Sequence, residues 1–470
     1  MRISLTVLGL MGVASCAVGP DFERPAPPSF ARQYTAPDEQ MPVQAVLGRK
    51  ITGEWWHLFE SADLNTLISM ALEHNQDLEA AKAALAQVRQ KAAATEGLAY
   101  PQVGLHGGAT REKVNFTSYG MSFPSETLNL YSIGGTVSYA LDLFGHDRRS
   151  VEAAEADAEA ETYRLNGAYL TLTGTVVMRV LSAASLKEQA EIVSSLIAMD
   201  QRRVDLMRTA RRAGTISDKE MADAEGQLAV DGAMLPPVLA QLSGVRHELS
   251  VLVGKTPEQW SPPDFELSAF IVPQNIPLSL PSDLVRHRPD ILAAEADLHA
   301  ASALIGVAEA NRYPRLVLSA DITQWAVMPG QLWRDAATGA GVGAGLTAPI
   351  FQGGRLEAEQ HAAESAYNVS FAKYRQTVLQ SFAQVATVLQ GLVQDERAVT
   401  LTGKAVVATV DSRRYAEMER LSGTSGILPV LVAERQEKLA RLADVQSRVQ
   451  YLKDSADLFL AMGGGWWDRS

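Results

Sequence analysis

Phosphate chemistry requires a glycine-rich loop whose backbone amides converge on the anion, and Gly254-Lys255-Thr256 has only the end of one. The position where the first loop glycine belongs holds Leu249, so no cradle forms. Gly339, Gly341, Gly343 and Gly345 miss the dinucleotide spacing, because Ala344 stands where the last glycine is needed; they read as the small face of a strand. The eight histidines are dispersed, and His74 and His287 are explained as equivalent positions of a repeat. Methionines are scattered, whereas soft-metal transfer favours clustered thioethers. No nucleophile with a base and an orienting partner is identifiable. The expectation is therefore a protein that is not an enzyme, with no catalytic residues, no metal site and no dissociable cofactor. A net charge of -12 on 470 residues also argues against nucleic acid as a partner.

One residue does point to covalent chemistry. Arg2 and the apolar run from Ile3 to Ala14 have the form of a secretory signal over residues 1–15, too short to span a bilayer. Val13-Ala14-Ser15-Cys16 matches a lipobox, in which the cysteine is acylated and becomes the new N-terminus. Cys16 is the only cysteine, which excludes an internal disulfide. Ala17 follows it instead of the aspartate that resembles an inner-membrane retention signal, so sorting to the outer membrane is expected. Nowhere else do about 18 apolar residues run uninterrupted.

The elements behind these residues occur twice. After a proline-rich leader and equatorial segment (residues 16–62), a long helix capped by Asp63 is expected to run to about Ala99 and stop at Tyr100-Pro101. At one fixed offset His74, Asp77, Leu85, Glu96, Tyr100 and Pro101 reappear as His287, Asp290, Leu298, Glu309, Tyr313 and Pro314. Each Tyr-Pro leads into paired alternating segments, about 101–114 with 129–143 and 314–326 with 337–350. A very long helix then follows in each copy, broken at Gly214-Thr215 and at Gly423-Thr424, and a helix returns. The repeats are thus 63–254 and 283–463, joined by an equatorial connector at 255–282 and closed by a tail at 464–470. Pro236-Pro237 should kink the first returning helix.

Four strands of this length can cross an outer membrane at a tilt, but spanning strands must close on themselves. Membrane barrels begin at about eight strands, so several subunits must pool theirs, and a shared duct follows. Long helical hairpins also suit a periplasmic adaptor or coiled-coil scaffold; the paired amphipathic strands speak for the duct.

Leu280-Pro281-Ser282-Asp283-Leu284, Arg288-Pro289-Asp290-Ile291, Ala294-Glu295, Ile305-Gly306-Val307-Ala308 and Tyr313-Pro314 resemble the signature of the NodT-type outer-membrane efflux lipoproteins. Val18-Gly19-Pro20-Asp21-Phe22, Trp55-Trp56 with Phe59, and Gly463-Gly464-Gly465-Trp466 extend that resemblance over nearly the whole chain. It implies a mainly α, TolC-like homotrimer with a 12-stranded membrane β-barrel and a periplasmic α-helical tunnel. It further implies a periplasmic adaptor and an inner-membrane transporter of the resistance-nodulation-division class as partners. The expected function is passive export of drugs or other small amphiphiles, with polypeptide secretion as the rival use of the fold. Gly214, Thr215, Gly423 and Thr424 would then be periplasmic tips that meet the adaptor. The paired aspartates of a TolC-type constriction fall, by motif register, on Pro429 and Val432. Two seals take their place as candidates: an acidic ring of Glu220 and Asp223, or an apolar one of Leu428, Leu431 and Val432.

Overall fold

The computed structural model describes residues 17–26, 34, 45–47, 53–115, 122, 124–271, 276–278 and 281–466; Cys16 and the signal segment lie outside the described residues. Among the described residues, β1 (Ala45–Leu47) comes first, followed by the opening helix of the first repeat. Where periodicity predicts one helix from Asp63, there are two, α1 (Ala62–His74) and α2 (Gln76–Gly97). The cap is Ser61, whose hydroxyl accepts from the Leu64 amide at 3.3 Å; Asp63 sits in the first turn, where its charge suits the helix dipole. The break is at Asn75. Its backbone is extended, its Oδ1 accepts from the Leu78 amide at 3.0 Å, and its Nδ2 donates to the Leu252 carbonyl at 3.1 Å. Asn75 therefore starts α2 while tying it to a distant helix end.

Next come β2 (Gln102–Val114), β3 (Glu126–Leu141), α3 (His146–Arg212), α4 (Asp218–Gly232), α5 (Leu235–Leu252) and the short β4 (Ile276–Leu278). At Pro236-Pro237 the hydrogen-bond ladder lapses between α4 and α5 while Ala233 and Met234 keep right-handed helical backbone, so the returning run is interrupted without leaving the helical conformation, as missing amide donors require. The second repeat gives α6 (Pro281–His287), α7 (Pro289–Ala310), β5 (Arg315–Ala326), β6 (Thr338–Thr347), α8 (Arg355–Leu421) and α9 (Ile427–Ala461). The α6–α7 break falls at Arg288, the repeat equivalent of Asn75, and Pro289 enforces it. β2, β3, β5 and β6 form an antiparallel sheet in that order, and β1 pairs with β4 in parallel.

Windows in α3, in Asp218–Leu252 and in α7 are long and apolar enough to cross a membrane, although charges interrupt each of them. Those of α3 and α7 are 56% and 67% buried within the chain, so packing against other helices accounts for much of their apolar character. The window in Asp218–Leu252 is only 11% buried.

Contacts divide the chain into two compact units. One holds the chain up to Pro25, Ala84–Thr162 and Ala293–Arg375. It contains the four-stranded sheet, and its helices approach closely through buried alanines such as Ala153, Ala156, Ala160, Ala296 and Ala303. The segment just after Cys16 is fastened to this unit. The Val18 amide donates to the Phe144 carbonyl at 3.0 Å. The buried Arg149 guanidinium donates to the Val18 and Gly19 carbonyls and pairs with Asp21 and Glu152. Phe22 stacks on His299 with centroids 4.4 Å apart. Gly19, at φ +91°, lies so close to Gly306 that a Cβ on it would be 2.4 Å from the Gly306 Cα; neither position has room for a side chain.

The other unit comprises Ala26–Ala83, Tyr163–Leu292 and Gln376–Ser470. Trp55, Phe59, Leu64, Ile68, Leu181, Leu249 and Phe459 are fully buried in its core, with Trp55 stacked on Phe459 at 5.4 Å. Arg288 is buried in the same unit. Its guanidinium donates to the Ala461 carbonyl at 2.6 Å, to Gln384 at 3.1 Å, and to both oxygens of Asp290. It thereby satisfies the end of α9 and fixes the α6–α7 break. Arg288→Met keeps the stem but removes every one of these donors. The expected loss is about 3 kcal/mol, read as a lower midpoint in chemical or thermal unfolding; an unchanged midpoint would show that the guanidinium is dispensable.

Candidate functional site

The sheet offers two faces of opposite chemistry, and the register decides which residues share each. Val103, Val137, Ala320 and Val342 form one row across the four strands. Two residues on, Leu105, Gly135, Ile322 and Ala340 form the next. Val103, Leu105, Val342 and Leu346 are between 66% and 90% exposed, an apolar surface of the kind that marks contact with lipid or another chain.

The opposite face is small and polar. A Cβ added to Gly134 would meet the Thr323 hydroxyl and the His106 ring; on Gly341 it would meet the Asp321 carboxylate; on Gly339, the Trp325 ring; on Gly343, the Ser319 hydroxyl. These side chains therefore lie flat over the glycines of the neighbouring strand. The glycines that failed as a dinucleotide motif make the polar face shallow. Alternating apolar and polar faces of this kind suit a wall between lipid and water.

Both hairpin ends are built on a left-handed glycine. Gly214 has φ +70° and Gly423 φ +77°. The next residue closes each turn: the amide and hydroxyl of Thr215 both donate to the Ala210 carbonyl, at 3.0 and 2.9 Å, and those of Thr424 to the Glu419 carbonyl, at 3.1 and 3.0 Å. The two glycines have no heavy atom within 4 Å of a would-be Cβ and are exposed. They are helix C-caps that leave the tips open to close approach.

Glu220 completes a capping box with Ser217, accepting from its amide at 2.7 Å and its hydroxyl at 2.8 Å. Those two bonds, the backbone one first, hold its carboxyl below the usual range. Asp223 pairs with Lys219 at 2.9 Å. Each candidate carboxylate is thus locally occupied. Leu428 and Val432 are 40% and 49% exposed, whereas Leu431 is buried against Leu196 and Met199. An apolar seal consequently rests on Leu428 and Val432, with Leu431 anchoring their helix to α3.

Sequence reasoning missed a buried polar group in the same hairpins. Asp231, Arg435 and Asp200 meet below the helix surface. The signal available was divergence between repeats: at the hairpin offset, Asp231 and Asp200 correspond to Ala440 and Thr409. Among the described residues no group of three or more His, Cys, Asp and Glu is placed to hold a metal ion.

The profile of the family described as outer membrane efflux protein matches residues 67–254 and 280–464, one stretch in each repeat. The chain is 27% identical over 417 residues to the pyoverdine export outer membrane protein OpmQ of Pseudomonas aeruginosa, covering 88% of this chain and 87% of OpmQ. It is 27% identical over 478 residues to nodulation protein T of Rhizobium leguminosarum bv. viciae, covering 99% of this chain and 94% of that protein. The solved structure of the outer-membrane channel OprN superposes with a TM-score of 0.85 at 26% identity, covering 96% of this chain and all of that one. With both repeats matched and a TolC-like channel reproduced over nearly its full length, the chain belongs to the outer membrane efflux protein family, whose members are transport channels.

Proposed function

We propose that three copies of this chain, each anchored by acyl groups on Cys16, close a 12-stranded barrel in the outer membrane and form the passive exit duct of a tripartite pump. A periplasmic adaptor and an inner-membrane transporter, the latter of the resistance-nodulation-division class, would supply docking and energy. The cargo class would be drugs or other small amphiphiles. One observation carries the reading: the sheet has an exposed apolar face and two unpaired edge strands, β2 and β6. In lipid those edges must be paired, and β6 of one copy meeting β2 of the next satisfies both. The little-buried apolar window over α4 and α5 supplies further surface for neighbouring copies to cover.

Mass spectrometry of the intact assembly in detergent reads two parts of this proposal together. Three chains are expected, each beginning at an acylated Cys16, and Cys16→Ser should lose the acyl mass. A monomer or dimer would remove the shared-barrel argument, and an unmodified wild-type cysteine would remove the anchor.

Docking at the tips is tested by Gly214→Arg combined with Gly423→Arg, with asparagine at both positions as a control that tolerates left-handed backbone. The arginine pair should abolish drug resistance in cells while trimers persist, and the asparagine pair should retain it. Resistance unchanged by arginine means the adaptor binds elsewhere.

For the closed end, the two seals separate in planar bilayers. Leu428→Ser with Val432→Ser should raise leak if the seal is apolar. Glu220→Gln with Asp223→Asn should instead lower cation preference if the ring is acidic. Because both carboxylates already have local partners, the larger effect is expected from the apolar pair; single-channel behaviour unaltered in both would place the constriction elsewhere.

A further inference from the structure

Among the described residues, the buried charged side chains are Arg149, Asp200, Asp231, Arg288, Glu295 and Glu437. Five of them are paired: Arg149 with Asp21 and Glu152, Arg288 with Asp290, Glu295 with Arg24, Glu437 with Arg413 and Arg441, and Asp231 with Arg435. Asp200 is the exception. It is 1% exposed, and no donor from the protein reaches either of its carboxyl oxygens.

What faces Asp200 is another acid. Asp231, near the end of α4 and also 1% exposed, is fully engaged: Arg435 of α9 donates to both of its oxygens at 3.0 Å, and Gln227 adds a bond at 3.0 Å. The remaining charged group in reach is Arg203, one turn further along α3, whose Nε is buried without an acceptor. The junction is set between apolar clusters, Val204, Met207, Met221 and Ala224 in one and Leu196, Met199 and Leu431 in the other. With both carboxylates ionised in such surroundings, Asp231 takes both bonds of the one bidentate arginine and Asp200 has no hydrogen bond at all. That arrangement is costly. A proton on Asp200 resolves it, because the carboxyl then becomes a donor to Asp231 and the Asp231–Arg435 pair stays intact.

We infer that Asp200, Asp231 and Arg435 form a proton-held latch that fastens α9 to the first hairpin, tight when Asp200 is protonated and loosened when it ionises. Burial, then the bond to and charge of Asp231, push the Asp200 carboxyl up to about 6 against the opposing pull of Arg435 and Arg203. Burial also presses Asp231 upward, but the bond from Arg435 outweighs it and leaves that carboxyl below its usual range. With the folded value of Asp200 above the unfolded one, its stabilising contribution is complete below about pH 4 and lost as pH rises through about 6. The loss from Asp231 begins only in stronger acid. Between mildly acidic and neutral pH, therefore, only the Asp200 side of the latch changes. As a gating device the latch rests on the channel reading above: α9 carries Leu428 and Val432, and loosening it from α3 and α4 frees the seal.

The full-length protein in detergent is melted at about pH 5 and pH 7.5. The Asp200 share of the wild-type loss over that interval should be on the order of 3 °C. Asp200→Asn should show a shallower slope, keeping only the part due to other groups such as Asp395, which burial and Asp454 push up to about 7, and should melt above the wild type at the higher pH, because an amide donates to Asp231 at any pH. If Asp200→Asn does not fold, Asp200→Leu gives the same slope test without a polar group. The latch is overturned if the slope is undiminished in these variants, or if Asp200→Asn is the less stable protein at pH 7.5. In bilayers, wild-type leak should be about threefold greater at the higher pH, and Asp200→Asn should leak at the low level throughout. Leak that keeps its pH dependence in the variant overturns the gating role. No current from the wild type at either pH would count against the channel reading instead, while the melting slopes still decide the latch.

Discussion

An unpaired backbone amide or carbonyl has no partner in hydrocarbon, and each such group costs several kcal/mol. The sheet order β2-β3-β5-β6 leaves two full rows of them, one along β2 and one along β6. One chain cannot cure this, since twelve or so residues per strand and only four strands cannot curl into a cylinder. The apolar face raises the stakes, because Leu105 and Val342 are each 90% exposed on a single chain. Insertion without closure is therefore unfavourable along the edges, and closure without lipid is unfavourable over the face. The two requirements can be met only together, which is why the sheet's chemistry and its assembly are one problem. The glycine row on the polar face serves the same end: Trp325 and Asp321 can lie across Gly339 and Gly341 only because no Cβ stands there.

Duplication supplies the strands in pairs, and the points where the two copies differ are informative about mechanism. At the first tip, Ser217 and Glu220 form a capping box; at the second, Gly426 precedes α9 with no side-chain cap. The first returning run loses its hydrogen-bond ladder just before Pro236-Pro237, whereas α9 continues without interruption for 35 residues. Asp231 has no acidic counterpart in the second copy. One hairpin is thus locally self-sufficient at its tip. The other begins with a less well satisfied helix end and is held from outside, by Leu431 against Leu196 and Met199 and by Arg435 on Asp231. A helix that depends on its neighbours for position is the one that can be repositioned.

Much of this was readable in the residues. The alternation after each Tyr-Pro located all four strands to within a few residues, because a period of two survives wherever one face meets a different medium from the other. The glycine breaks located both tips for the same local reason: a left-handed residue ends a helix whatever surrounds it. The features that escaped are those settled by distant partners. Asn75 breaks a helix of good internal pattern because its side chain reaches the Leu252 carbonyl. Leu431 looks like a lumen residue in a helical stripe, yet α3 covers it. Asp200 is an unremarkable acid in sequence; only the arrival of α4 and α9 removes its water and leaves it facing Asp231. The clasp of Arg149 on the Val18 and Gly19 carbonyls joins residues about 130 apart, a separation at which no periodicity argument applies.

A transport channel of the kind proposed above needs unequal stability along its helices, so that one region can open without unfolding the rest. The second unit shows that inequality directly. Its main core gathers Trp55, Phe59, Leu181, Leu249 and Phe459 into one large cluster, and burying a single such aromatic contributes roughly 2–3 kcal/mol. Toward the hairpin ends the apolar contacts shrink to Val204, Met207, Met221 and Ala224, and to Leu196, Met199 and Leu431. Exposed ion pairs such as Arg211–Asp218 and Lys219–Asp223 accompany them, and pairs of that kind contribute about 0–1 kcal/mol each in water. On the docking proposed above, the tips are the region a partner would rearrange most easily, because fewer buried apolar contacts hold them than hold the core. Position along the hairpin thus sets where the chain yields most easily, and the Asp200, Asp231 and Arg435 group lies in that weaker region.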